Sequence, residues 1–296
     1  MRLHGATRLV FKGFASTDSI GELYKKHCVH GVCSVHGAQV LSVDHFGEVS
    51  WKKVTRIEKH DGENMVRITT RSGRQIVCSR RSLVLTRDLE YDHVDIGDHI
   101  PIVGTPVKKK YGIKAQAVIA AAMYTGGKLE YRCVHMPHRI LRFVKLRAIL
   151  KEFPGTYREN AREIIFSSES LYYFCEHLLH VGFPWHFMQL SKEACIAFCR
   201  CMVSAGTVAT YICIPCAPIV RDGFATLLLT LGINAKLSEH GVMISKEQKY
   251  ALNNPDFREN LHGDPVVRIE PLPPTTAYSL KINLGESVVS LNSICV

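Results

Sequence analysis

Apolar and polar residues alternate over short stretches from residue 1 to about 105, as in Val66-Arg-Ile-Thr-Thr70 and Arg74-Gln-Ile-Val-Cys78, with glycines between them. A period of two puts successive side chains on opposite faces, so this region predicts half-buried strands joined by tight turns. From about 111 to 262 the apolar residues recur at helical spacing over longer runs. Ala115 to Tyr124, Arg139 to Phe153, Ser170 to His180, Lys192 to Ser204 and Gly223 to Leu231 predict helices. The β-like runs Val208-Ala-Thr-Tyr-Ile-Cys213 and Val242-Met-Ile-Ser245 fall between them. From Asp264 the alternation returns, in Val266-Val-Arg-Ile269 and Leu280-Lys-Ile-Asn-Leu284. The junctions are marked by Gly104-Thr-Pro-Val-Lys-Lys-Lys110, a turn with a basic run, and by Pro271-Leu-Pro-Pro274, a stiff extended stretch. The predicted fold class is α+β: a β domain in two parts, residues 1–105 and 263–296, interrupted by an α+β insert over 106–262.

The insert contains an internal repeat. Val118-Ile-Ala-Ala-Ala-Met-Tyr-Thr-Gly-Gly127 and Ala197-Phe-Cys-Arg-Cys-Met-Val-Ser-Ala-Gly206 each run as a helix of small apolar residues into glycine and then a β-like segment. Small residues at that density let two helices approach closely, and a terminal glycine suits the turn into a strand. The bland alternative is a buried helix pair and nothing more.

Composition narrows the partners. The 296 residues are 46% hydrophobic and 22% charged, the balance of a packed globular protein, and the formal net charge of +10 favours an anionic partner such as nucleic acid. Between Lys128 and Lys151 the cations Lys128, Arg132, Arg139, Arg142, Lys145, Arg147 and Lys151 face one acid, Glu130, whereas Gly206 to Leu237 holds only Arg221 and Lys236 against Asp222. The first segment is therefore the expected nucleic-acid-binding region, with a solvated face as the alternative. Eleven cysteines without an apolar leader in Met1 to Arg8 predict reduced thiols in an intracellular, unsecreted protein, and no apolar run is long enough to span a membrane. Cys195, Cys199 and Cys201 on a predicted helix are expected to be core residues. Cys28, His30, Cys33 and His36 are dense enough for a zinc site, although their spacing matches no standard finger and the flanking glycines point to a loop.

With these residues in view, the insert resembles the LAGLIDADG homing endonucleases, and the outer segments resemble an intein, or Hint, domain. The latter resemblance is carried by Leu3-His-Gly-Ala-Thr7, Val54-Thr-Arg-Ile57, Ser72-Gly-Arg-Gln-Ile76, Gly97-Asp-His-Ile-Pro101 and the strand at Tyr278. The resemblance implies an all-β Hint domain interrupted by a pseudo-two-fold αββαββα insert whose strands form a saddle for double-stranded DNA. It also implies two chemistries, protein splicing and Mg²⁺-dependent DNA cleavage.

The positions that would perform them hold other residues. The splicing nucleophile's place is Arg2, whose guanidinium stays protonated; the assisting Thr-x-x-His falls at Cys78 to Arg81, and the strand aspartate at Ser279. The terminal His-Asn would fall beyond Val296. The metal-binding carboxylates fall at Gly126 and Ala205, which offer no oxygen ligand, with Glu130 and Asp222 as the nearest substitutes. The expectation is a domesticated relative, inactive in splicing and cleavage, that needs no cofactor and binds nucleic acid through the saddle. Two alternatives stand beside it: a structural subunit of a protein or ribonucleoprotein assembly, and an active endonuclease with relocated ligands that would still require Mg²⁺.

Overall fold

The computed structural model describes residues 1–12, 18–29, 32, 33, 35, 37–44, 46–104, 114–183, 187, 190–208, 211–253, 255, 261–282, 287–289, 294 and 295. The chain forms two compact units, one from Met1–Pro106 with Glu259–Val296 and the other from Val107–Arg258. The first part of the chain gives β1 (Leu3–His4), β2 (Phe11–Lys12), α1 (Ile20–His27), β3 (Cys28–Val29), β4 (Val32–Cys33) and β5 (Gln39–Val43). It continues with β6 (Val49–Thr70), β7 (Gln75–Ser79), β8 (Val84–Leu85), β9 (Tyr91–Asp92) and β10 (His99–Val103). The middle begins with α2 (Lys114–Tyr124), β11 (Lys128–Glu130), β12 (Cys133–Pro137), α3 (His138–Leu141), α4 (Leu146–Glu152), β13 (Thr156–Glu159), β14 (Glu163–Ser167) and α5 (Glu169–Val181). It goes on through α6 (Lys192–Ser204), β15 (Thr207–Val208), β16 (Ile212–Pro215), α7 (Pro218–Thr230), β17 (Lys236–Ser238), β18 (Gly241–Ile244) and α8 (Lys246–Ala251). The last part is β19 (Leu261–Ile282) and β20 (Ser287–Val288).

The first unit is organised around β6 and β19, two 22-residue strands paired antiparallel from Val266↔Thr70 to Ile282↔Val54. Register shifts fall at Leu272 to Thr275, where Pro273 and Pro274 cannot donate to the ladder. β1 lies between the other two parts of this sheet: Leu3 faces Tyr278 of β19 on one side and Cys78 of β7 on the other. Helix α1 starts at a capping box, Ser19 with Glu22, and sits against the turn after β1. A Cβ on Gly21 would stand 2.9 Å from the Gly5 carbonyl oxygen, so only glycine admits the Gly21 N–H to Gly5 O bond at 2.9 Å. Arg74, fully buried in the β6–β7 turn, faces the Asp264 carboxylate of β19 at 3.9 Å, and Ser72 hydrogen-bonds the same carboxylate. Charge therefore joins the distant segments as well as the strand ladder.

The second unit runs through the same order of elements twice. In each half a helix of small residues, α2 or α6, leads to two strands, a helical segment, two strands and a capped helix. The two sheets have the same strand order, β11-β12-β14-β13 and β15-β16-β18-β17. α2 and α6 pack on each other, and Ala117, Ala120 and Ala121 of α2 and Ala194, Ala197 and Cys201 of α6 are all buried. Cys195 and Cys199 are buried on α6 as well. Beside this pair, Phe183, Phe187, Phe198 and Phe224 form an aromatic cluster with ring centroids 5.7 to 6.1 Å apart. Gly223 is obligatory there, since a Cβ would lie 2.4 Å from the Phe183 ring.

The expected helix over Arg139 to Phe153 is two short helices, α3 and α4. The chain turns at Arg142 to Lys145, with Val144 N–H bonded to Leu141 O, and α4 restarts without a side-chain cap. No glycine or proline marks the break, which is why apolar spacing alone passes through it. Among the described residues no helix is long and apolar enough to cross a membrane.

Candidate functional site

Three places carry the residues singled out by sequence. In the first unit, the position of β1 brings Arg2 to the end of β7. The Arg2 N–H donates to Ser82 Oγ at 3.0 Å and its carbonyl accepts from Ser79 N at 2.8 Å. The guanidinium is ion-paired with Glu63 of β6, whose other carboxylate oxygen accepts from Ser79 Oγ at 2.7 Å. The Ser79 hydroxyl, and after it Arg2, hold the Glu63 carboxyl below the usual carboxylate range. Arg2, Ser79, Arg81, Ser82, Tyr91 and Lys281 line a groove of about 700 Å³. Cys78, which precedes Ser79 on β7, is 1% exposed, and burial pushes its thiol up to about 12, so it is un-ionised and a poor nucleophile near neutral pH. Ser279 projects from β19 to His60, Oγ to Nε2, at 2.9 Å. Sequence reasoning missed Glu63 and His60, because pairing across 61 and 219 positions leaves no local signal.

The second place is the C-terminal ends of α2 and α6. Gly126 has φ +124°, and the Gly127 N–H returns to Ala122 O at 2.8 Å. A Cβ on Gly127 would lie 2.8 Å from Met123 Cα, and one on Gly206 would lie 2.7 Å from Ile212 Cγ2. Both helices thus turn into their first strand through a glycine that sterics require, with Gly126 and Ala205 just before it. Neither offers an oxygen ligand, so the pair does not fit Mg²⁺. Glu130 is held by Lys128 at 3.1 Å and Asp222 by Arg221 at 2.7 Å. No group of three acid, histidine or cysteine side chains able to hold a metal ion occurs among the described residues. Of the cysteine and histidine cluster, Cys28 pairs with Cys33 across β3 and β4, while His30 and His36 and the side chain of Cys33 lie outside the described residues.

The third place is the sheet surface of the second unit. Cross-strand register sorts the first sheet into two faces. Val134, Met136, Ile164 and Phe166 are buried on one; Lys128, Glu130, Cys133, His135, Arg158 and Glu163 occupy the other. On that second face Lys128 pairs with Glu130, and His135 Nδ1 meets Glu163 Oε1 at 3.2 Å, so cations and acids are balanced. The His135 hydrogen bond lowers the Glu163 carboxyl. The second sheet buries Ile212, Ile214, Val242 and Ile244 and turns out Thr207, Cys213, Met243 and Lys236.

The seven cations divide accordingly. Lys128 and Arg132 belong to the β11–β12 hairpin, whereas Arg139, Arg142, Lys145, Arg147 and Lys151 belong to α3, α4 and the turn between them, which pack on α2. All seven are exposed, and Arg142 lies 4.9 Å from the Phe143 ring centre. Sequence counted these charges as one segment; the fold separates two at the strands from five on the helical layer.

No family model matches the chain, and no curated protein matches it. Among solved structures it is similar to an Ssp DnaB mini-intein variant, at 8% identity over 99% of this chain and 92% of that chain, with a TM-score of 0.40. It is also similar to the Mja transcription factor IIB mini-intein, at 17% identity over 36% of this chain and 71% of that chain, with a TM-score of 0.27. At these scores the likenesses carry no argument, and the functional reading rests on the chain's own geometry.

Proposed function

We propose that this chain is an intein-like β scaffold, interrupted by an insert of the LAGLIDADG kind, that binds nucleic acid and performs neither splicing nor strand cleavage. The observation that carries the reading is the nested layout. β6 and β19 pair across the insert, and the insert repeats one order of helices and strands around the packed α2–α6 pair. Its chemistry follows from what stands at the reactive positions. A guanidinium at Arg2 or Arg81 neither attacks a carbonyl nor shuttles a proton near neutral pH, and Gly126 and Ala205 leave Mg²⁺ without ligands. Exposed cations on the β11–β12 hairpin and on α3 and α4 would contact phosphates, and the polar strand faces would lie along the grooves of double-stranded DNA.

Equilibrium binding of the full chain to random duplex DNA tests this. Affinity should fall roughly 10- to 1,000-fold between about 50 and 200 mM salt, as counterion release requires for a handful of phosphate contacts. No nicking of a plasmid library should occur with Mg²⁺. Salt-independent affinity would remove nucleic acid from the reading, and nicking abolished by EDTA would restore the endonuclease. The charge balance on the first sheet's outer face favours one other reading, a structural subunit of a protein or ribonucleoprotein assembly, because paired charges there weaken attraction to phosphate.

A further inference from the structure

Glu130 pairs with Cys133, so the β11–β12 hairpin closes through only two residues, Tyr131 and Arg132. Both have positive φ, 48° and 58°, the signature of a type I′ turn. Asparagine and glycine adopt that conformation readily, whereas side chains such as tyrosine and arginine crowd the backbone in it. Leu89 is the one other non-glycine residue with positive φ among the described residues. The sequence has thus placed two unfavourable residues side by side at a hairpin tip.

What the turn presents is equally particular. Tyr131 is 96% exposed, and its ring touches no other ring among the described residues. Arg132 is exposed and forms no ion pair there, while nearby Lys128 and Glu130 satisfy each other. A phenol ring and a guanidinium, both flat and both open, stand at the tip. In the second half of the unit Tyr211 immediately precedes β16, is 44% exposed, and has Lys236 Nζ of β17 5.6 Å from its ring centre. Each half therefore has an exposed tyrosine with a cation beside it, Arg132 next to Tyr131 in the chain and Lys236 over the Tyr211 ring.

We infer that Tyr131 and Tyr211 stack on nucleobases whose faces are open, so that the preferred ligand contains an unpaired stretch, a gap or a frayed end. This rests on the nucleic-acid reading and sharpens it. In an intact duplex each base face is covered by its neighbours, leaving edges and phosphates to be read; an aromatic ring gains stacking only where a base is uncovered. Arg132 and Lys236 would hold the phosphates flanking the stacked base.

The full chain can be titrated with a single-stranded oligonucleotide carrying 2-aminopurine, with a gapped duplex and with the intact duplex. The gapped and single-stranded ligands should bind more tightly, with 2-aminopurine emission changing on binding. Tyr131→Asn keeps a residue suited to the turn and removes the ring; it should weaken their binding about tenfold, within the range of one stacking contact, while leaving duplex binding unchanged. Tyr131→Phe should bind like the original chain, since stacking needs the ring and no hydroxyl. Salt-dependent binding that is equal for all three ligands and indifferent to Tyr131→Asn would overturn the inference and leave the proposed function standing. Absence of nucleic-acid binding, or a self-association lost in Tyr131→Asn in its place, would overturn both.

Discussion

The two halves of the second unit agree on their inner faces and diverge on their outer ones. Val134, Met136, Ile164 and Phe166 in the first sheet correspond in register to Ile212, Ile214, Val242 and Ile244 in the second, and all eight are buried. Outside, Lys128, His135, Ile165 and Arg158 form one cross-strand row in the first sheet, and Thr207, Cys213, Met243 and Lys236 form its counterpart. Close packing tolerates little change in volume or polarity, so the inner faces stay alike. In the outer rows the two ends are exposed, although His135 and Ile165 in the middle of the first row are buried, and the two rows share only a cation on the last strand, Arg158 and Lys236.

Substitutions can test that contrast at decreasing size. Phe166→Ala on the first inner face should cost about 3–5 kcal/mol and Ile244→Ala on the second about 2–5 kcal/mol, measured by urea denaturation. Values near zero for either would mean that the inner faces do not share a packing role. On the outer faces, Lys128→Gln with Arg132→Gln should reduce the salt slope of DNA binding by about 2, and Lys236→Gln by about 1. A larger loss from the second half would invert the comparison. Alkylation at pH 8 should modify Cys213 on the outer face well before Cys78, whose raised pKa leaves almost no thiolate, with peptide mapping as the readout. Equal rates would contradict the burial of β7.

Two weaker effects remain. The Glu163 carboxyl is depressed by His135, so its stabilising contribution is present above the unfolded carboxylate pKa and is lost as pH falls through the lower folded value. Carboxyl titration by NMR in His135→Asn should return Glu163 toward its ordinary value. The smallest expected difference concerns the serine that caps the helix after each sheet. Ser168→Ala should cost about 1 kcal/mol, and Ser245→Ala less, because α8 buries no residue and can fray on its own.

Much of this pattern is visible in the chain. Lys192 to Ser204 is a helix with the bounds its apolar spacing predicts, and Ala115 to Tyr124 differs from α2 by one residue, because neither run is interrupted by glycine or proline. Val242 to Ser245 likewise falls on β18, shifted by a residue. The turn between α3 and α4 carries no breaker and was invisible. So was the partition of the seven cations, since a count along a segment does not say on which layer each residue stands. The Arg2–Glu63 and Ser279–His60 pairs depend on strand register across 61 and 219 positions, which no local pattern encodes.

The long ribbon has a consequence for biosynthesis. Thr70 of β6 is made about 200 residues before its partner Val266 of β19, which at typical elongation rates of about 5–20 residues per second leaves that strand edge waiting ~10–40 s on the ribosome. During that interval β7 covers one side of β6 from Met65 to Thr69, but the other side is an open template for any passing strand. The exposed charges at Arg56, Lys59 and Asp61 then act as guards of the nascent chain, discouraging association with neighbours until the rightful strand emerges.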